Sequence, residues 1–201
     1  LSLRAGIAEH YKEWYGIDVP VERIVATKGS SAAFILSFMA AFDPGDRVAM
    51  ASPGYPAYRN ILKSLGITPI SILTELEHRF QPTVSLLEGL KQPIDGLIIA
   101  SPSNPTGTMI DHKKMKDLSN YCKEKDIRLI SDEIYHGINY EKKAVSALET
   151  HEESLIINSF SKYFSMTGWR LGWMIVPEDL IRSVECLAQN MFISPPTLSQ
   201  I

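Results

Sequence analysis

Short apolar runs alternate with longer stretches that carry a helical stripe, and this alternation restricts the fold more than any other feature of the chain. Runs of strand length fall at residues 23–27, 47–51, 68–72, 96–100, 127–131, 155–159 and 171–176. Helical patterns lie between them, at about 2–15, 30–42, 55–65, 83–91, 112–126 and 178–193. Strands that alternate with helices pair in parallel, because each helix carries the chain back across the sheet, and the helices then cover both faces. The expected architecture is α/β: a three-layer α-β-α sandwich around a mostly parallel sheet of seven strands. One connection breaks the pattern. Only about eleven residues separate Ser159 from Leu171, and a parallel crossover needs a dozen or more. The last strand is therefore expected to run antiparallel to its neighbours. Asp111 stands where the N-cap of the 112–126 helix is expected.

Composition narrows the function classes. The 201 residues are enough for one large domain with a real core. A net charge of -3 with no basic clusters argues against a nucleic-acid partner. The longest apolar runs, such as residues 32–42, are too short to cross a bilayer, so no membrane partner is expected. Cys122 and Cys186 lie far apart and match no metal spacing. No metal is expected, and the two cysteines read as reduced, buried thiols in a cytoplasmic protein. Leu1 is not an initiator Met, and the stripe Leu3, Ile7, Tyr11, Trp14 is under way at once. The chain stops inside the apolar segment 191–201. Both ends look cut, so a piece of a longer protein is expected.

In open α/β sheets, ligands sit beyond the carboxyl ends of the strands. Gly29, Ser30 and Ser31 follow the first strand, Tyr55 the second, Asn104 the fourth, Asp132 the fifth and Lys162 the sixth. Arg170 precedes the last strand, and a reversed strand returns it to the same rim. The polar groups with chemical potential thus converge on one edge.

Each segment also has a plainer reading. Thr27-Lys28-Gly29-Ser30-Ser31 ends a strand and starts a helix. Free N–H groups and the helix dipole make such a start an anion site, though Gly-Ser there is also ordinary turn and cap chemistry. The Pro-studded run 101–107 is either a tight turn or a rigid support for the Asn104 amide. Asp132 just past an apolar strand is an N-cap or a basic group's partner, or else it holds a proton on a heterocyclic nitrogen. Tyr135, three residues on, lies alongside if one helical turn follows. Lone lysines are nearly always solvated. Lys162, however, sits among Phe160, Tyr163, Phe164, Met166 and Trp169, where desolvation favours a nucleophilic amine. Arg170 supplies a forked cation suited to a phosphate.

Taken in order, GSS-A, GYPAY, SNPTG, SDEIY, S-F-SK and MTGWR-LG resemble the fold-type-I pyridoxal-phosphate (PLP) enzymes, the class I/II aminotransferases. The resemblance covers nearly the whole chain. It implies that residues 1–201 are the PLP-binding large domain, truncated at both ends, with the C-terminal small domain absent. It implies that Lys162 forms the Schiff base and moves the substrate proton, and that Asp132 pairs with the pyridine nitrogen. Tyr135 and Asn104 then hydrogen-bond the ring oxygen, and Tyr55 stacks on the ring where some relatives carry Trp. The resemblance further implies that Gly29, Ser30, Ser31, Ser159 and Arg170 hold the phosphate. The bonds Ser52–Pro53 and Asn104–Pro105 are expected to be cis. The substrates implied are an α-amino acid and a 2-oxo acid, and the full-length protein is expected to be a homodimer.

The second Arg that grips the substrate carboxylate in relatives lies downstream of this chain. Some dicarboxylate-specific relatives place an Arg shortly after an SPP-like segment. Here Ser194-Pro195-Pro196 is followed by Thr197, Leu198, Ser199 and Gln200, which disfavours an aspartate-specialised enzyme of that subgroup. The same lysine, aspartate and arginine also serve a C–S β-lyase, or a PLP-binding sensor domain of a transcription regulator. The motifs leave those readings open.

Overall fold

All seven expected strands form in a computed structural model that describes residues 2–201, leaving Leu1 of the expected domain outside the described residues. The strands are β1 (Ile24–Thr27), β2 (Arg47–Ser52), β3 (Thr68–Leu73), β4 (Gly96–Ala100), β5 (Arg128–Asp132), β6 (Leu155–Ser159) and β7 (Gly172–Ile175). They make one sheet in the order β1-β7-β6-β5-β4-β2-β3. Pairing from β3 through β6 is parallel, and β7 runs antiparallel to both β6 and β1, as its short connection requires.

Among the described residues six α-helices cover the sheet: α1 (Ser2–Tyr15), α2 (Gly29–Ala41), α3 (Pro56–Ser64), α4 (Val84–Glu88), α5 (His112–Glu124) and α6 (Ile181–Met191). The central strands are apolar on both sides, and alternate residues enter opposite cores. Leu97, Ile99, Leu129, Ile156 and Trp173 pack beneath α1, α4 and α5. Ile98, Ile130, Leu155, Ile157 and Met174 pack beneath α2, α3 and α6. That is the expected three-layer sandwich. Each such Leu, Ile or Met removed from water contributes about 1.5–3 kcal/mol, before the entropy cost of ordering is counted. The helix α2 is apolar nearly all round and is correspondingly the most deeply buried, lying on the sheet between α3 and α6.

Local chemistry sets the element ends. The Asp111 carboxylate accepts from the Lys114 amide at 2.9 Å, capping α5 as expected. The helix expected at 83–91 is only the short α4, closed at Gly89. The helix expected at 178–193 begins as a 3₁₀ turn, Glu178–Leu180, before α6. The peptide bonds Ser52–Pro53 and Asn104–Pro105 are cis, as is Ser101–Pro102, which was not expected.

Three expectations need correction. The fifth strand is shifted one residue, so Asp132 closes the ladder opposite Ala100 and Ile157 rather than following it. The apolar residue Ile127 packs into the core before the ladder begins. The segment after Asp132 is a turn and not a helix. Cys122 is buried, but Cys186 is partly exposed, because it stands toward the open side of α6.

Candidate active site

The anion end of the site is built by three segments far apart in sequence. β1 ends at Thr27, and Gly29 turns the chain into α2 with φ at +74°. A side chain here would be strained by that backbone, and its Cβ would stand 2.7 Å from Nη2 of Arg170. Gly29 thus lets the guanidinium reach the first turn of the helix. The close approach is repeated below it, where a Cβ on Gly172 would meet Gly29 backbone at 2.9 Å. Arg170 is itself in the left-handed region at φ +54° and donates Nη1 to the Thr167 carbonyl at 2.9 Å. Ser30, Ser31, Ser161, Thr167 and Arg170 all line one cavity of about 200 Å³. A helix N-terminus, three serine hydroxyls and a forked cation converge there, a donor set suited to a dianionic phosphate.

The other end of that cavity is lined by Lys162, Asp132, Tyr135, Asn104, Tyr55, Tyr58 and Phe34. Asp132 is buried. Its Oδ1 accepts from the Ile134 amide at 3.2 Å and its Oδ2 from the Tyr58 hydroxyl. Burial pushes the Asp132 carboxyl up to about 6, against the pull of those two donors. Burial, with Asp132 next to it, holds the Tyr58 hydroxyl far above its ordinary value, so Tyr58 remains a donor. Asn104 donates Nδ2 to the Tyr135 hydroxyl at 3.3 Å. Tyr55 precedes α3, is 41% exposed, and sets its ring at 80° to that of Tyr58. A larger groove of about 910 Å³ adjoins the site at Asn104 and Tyr135, but none of Lys162, Asp132 and Arg170 lines it.

Two sequence readings change. Lys162 is exposed, not desolvated: its aromatic sequence neighbours turn elsewhere. Tyr163 packs on Trp14, and Phe164 packs on Phe160. The nearest aromatic face to its Nζ is that of Tyr135, 5.7 Å from the ring centroid. Ser159 is buried outside the cavity lining; its hydroxyl donates to the Leu171 carbonyl at 3.1 Å, and its Oγ lies 2.9 Å from Ser161 Oγ, from which it accepts. Ser161, two residues on, is the one that lines the cavity. Gly29, Ser30, Ser31, Tyr55, Asn104, Asp132, Tyr135, Lys162 and Arg170 are brought together as expected. Sequence reasoning missed Tyr58, although it lies in GYPAY three residues after Tyr55, the spacing that sets two helical side chains on one face.

The residues fit pyridoxal phosphate. The cradle over Gly29 is one that any Cβ would fill. The amine of Lys162, the buried carboxylate of Asp132 and the donors of Asn104 and Tyr135 share one small cavity with it. Each group on the cofactor thus has a complementary side chain.

Comparison with known proteins agrees. Residues 1–201 match the family Aminotransferase class I and II. Over 202 residues the chain is 49% identical to the valine–pyruvate aminotransferase of Mycobacterium tuberculosis, covering 100% of this chain and 52% of that protein. It is 39% identical over 203 residues to the (5-formylfuran-3-yl)methyl phosphate transaminase of Methanocaldococcus jannaschii, again covering 100% and 52%. A crystal structure of an aminotransferase from Mycobacterium tuberculosis superposes with a TM-score of 0.95 at 49% identity, over 98% of this chain and 55% of that one. The chain spans about half the length of the curated relatives it matches. Its fold, its rim of site residues and its likeness along the whole length make it a member of the class I and II aminotransferases, a PLP-dependent family.

Proposed function

We propose that the full-length protein transfers an amino group between an α-amino acid and a 2-oxo acid, with PLP as cofactor. One observation carries the proposal. An amine, a buried carboxylate and an anion cradle line the same cavity of about 200 Å³. When bound, PLP supplies an electron sink for charge developing at the substrate α-carbon.

The chain's residues do the rest. Arg170 and the first turn of α2 bind the phosphate and so fix the cofactor's position. Asp132 holds a proton on the pyridine nitrogen, and Tyr58 keeps that carboxylate oriented. Asn104 and Tyr135 donate to the ring oxygen. Tyr55 covers one ring face. Lys162 would hold the cofactor covalently, and once released its amine would take a proton from the substrate α-carbon and give it to the cofactor carbon on the far side of the nitrogen that joins the two. A flexible, exposed stem suits that two-position task better than a packed one would.

The name of the 49% relative supports an aliphatic amino donor and pyruvate as acceptor. Product analysis of the full-length protein tests this. Valine and pyruvate should give alanine and the matching 2-oxo acid, and Lys162→Ala should abolish the exchange. Release of ammonia and pyruvate from a cysteine conjugate, with no amino exchange, would overturn it in favour of a lyase. We also propose a homodimer. Trp169 and Ile193, large apolar residues 52% and 83% exposed, support a covering partner surface. A monomer by light scattering would refute that.

A further inference from the structure

The turn after β5 sends its side chains to two places. Asp132 and Tyr135 line the cavity. Glu133 and His136 are each one residue further on and are buried beneath it, 0% and 5% exposed. His136 Nε2 lies 2.8 Å from the Ser101 carbonyl oxygen. A carbonyl only accepts, so Nε2 carries the ring proton. Nδ1 then offers a lone pair, and it accepts from the Tyr15 hydroxyl of α1 at 2.7 Å. The two contacts select one neutral tautomer. Burial lowers His136 to about 4; the Ser101 hydrogen bond opposes this, and His10 and Lys143 add to it. Glu133 Oε2 stands 3.7 Å from Nδ1. Burial raises that carboxyl to about 8, despite the Ala147, Ser146 and Ser131 donors, so it holds a proton at neutrality and does not draw the ring into an ion pair.

Ser101 is where the loop bearing Asn104 leaves β4. Its amide donates to the Asp132 carbonyl at 3.3 Å, and its hydroxyl accepts from the Ile110 amide at 2.9 Å, which ties the far end of the loop. His136 therefore fastens the root of the Asn104 loop to the same turn that carries Tyr135. Across that joint, Asn104 Nδ2 meets the Tyr135 hydroxyl at 3.3 Å.

We propose that His136 is a positioning residue: by donating Nε2–H to Ser101 it sets the spacing of the Asn104 and Tyr135 donors at the cofactor's ring oxygen. Tyr15 assists by fixing the tautomer, which couples the end of α1 to the site. This rests on the PLP reading above. Two donors that share the oxygen's negative charge weaken its hold on the neighbouring proton. If they spread, the proton is held more tightly, and the cofactor's visible absorption band titrates at higher pH.

The test compares His136→Asn with His136→Gln in the full-length, PLP-loaded protein. The two side chains carry the same amide, but only Gln is long enough to place a donor where Nε2–H lies. The band's pH midpoint should rise by about half a unit or more in His136→Asn, a roughly threefold gain in proton affinity. It should stay near wild type in His136→Gln. No shift in His136→Asn, or equal shifts in both variants, overturns the proposal. Borohydride trapping of the cofactor on Lys162 in the wild type separates this from failure of the PLP reading. Should His136→Asn not fold, ¹⁵N NMR of the wild type decides. A neutral Nε2–H ring at neutral pH is expected, and an Nδ1–H tautomer or an imidazolium overturns the proposal.

Discussion

Replacing Tyr58 by Phe removes one hydroxyl and nothing else of substance. The ring is buried, 4% exposed, and stacks on Phe34 at 4.9 Å, a contact Phe retains. What goes is the donor to Asp132 Oδ2, which leaves the carboxylate with the Ile134 amide alone. A hydrogen bond to a buried charge is worth roughly 1.5–3 kcal/mol. At 1.36 kcal/mol per unit, the Asp132 pKa should rise by about 1–2 units. It starts already raised to about 6 by burial. The sign follows from which form the cofactor needs. In the proposed function an ionised Asp132 holds the proton on the pyridine nitrogen, so PLP binding should weaken as pH falls through the carboxyl's pKa. In Tyr58→Phe that acid limb should lie about 1–2 units higher. Well above both limbs the two proteins should bind PLP alike, whereas near the wild-type midpoint the variant should bind roughly tenfold more weakly. Fluorescence titration of the apo full-length protein with PLP across the acid range measures this, and the cofactor's own titrations cancel in the comparison. Coincident acid limbs would show that Tyr58 does not tune Asp132.

Other consequences are as direct. Gly29→Ala places a methyl 2.7 Å from Arg170 Nη2 on a backbone with φ at +74°; the strain of roughly 1–2 kcal/mol should lower the melting temperature, while the displaced guanidinium should weaken PLP binding in equilibrium dialysis, and unchanged binding would refute the cradle. Asp132→Asn should still load PLP but slow α-proton removal by about 10²–10³, as single-turnover absorbance would report, and a wild-type rate would end the assignment. Glu133→Gln bears on pH stability. Burial raises the folded carboxyl from 4.5 to about 8, so the unfolded chain ionises first and the wild type loses stability as pH rises through that window. The variant lacks this titration and keeps Oε1 as acceptor for Ser146 and Ala147. Its melting temperature should gain on wild type from acid to alkaline pH by roughly 2 °C or more, and a gap that stays flat with pH would refute the raised carboxyl.

Where the sequence could be read, a local rule decided the structure. The strands at 96–100 and 155–159 were legible to the residue because each is an unbroken run buried on both faces. At β5 the apolar Ile127 belongs to the core but not to the ladder, while the polar Ser131 and Asp132 belong to the ladder because its end is the rim of the site. Hydropathy alone sets that boundary one residue early. Tyr58 was hidden for a different reason. Its partner Asp132 is 74 residues away, and helical spacing relates Tyr58 to Tyr55 without saying which strand end the pair will face. The setting of Lys162 misled because residues 160–171 form a loop with no period. Phe164 packs on Phe160 and Tyr163 turns to Trp14, so aromatic neighbours in sequence leave the amine open in space. Glu133 and His136 stand between or beside site residues in the motif, yet the turn buries them on the far side.

The reversal of β7 is what makes these fragments one site. Gly172 opens that strand opposite Ser159 of β6 and Thr27 of β1, the last residues of both. The chain entering β7 therefore starts at the rim where its neighbours finish, and Arg170 comes against Gly29 at the start of α2. A parallel β7 of the same four residues would begin at the opposite edge, about 10 Å away at strand rise, with the guanidinium out of reach of the cavity. The short link from Ser159 to Gly172 forbids that arrangement and also holds Lys162 over the same rim, since its residues bond to each other. Phe160 N donates to the Leu171 carbonyl at 3.1 Å, and Thr167 Oγ1 donates to the Ser161 carbonyl at 2.7 Å. One short loop thus delivers both the amine and the arginine to the cavity, and the two glycines that face each other beneath it, Gly29 and Gly172, are the clearance that this close return demands.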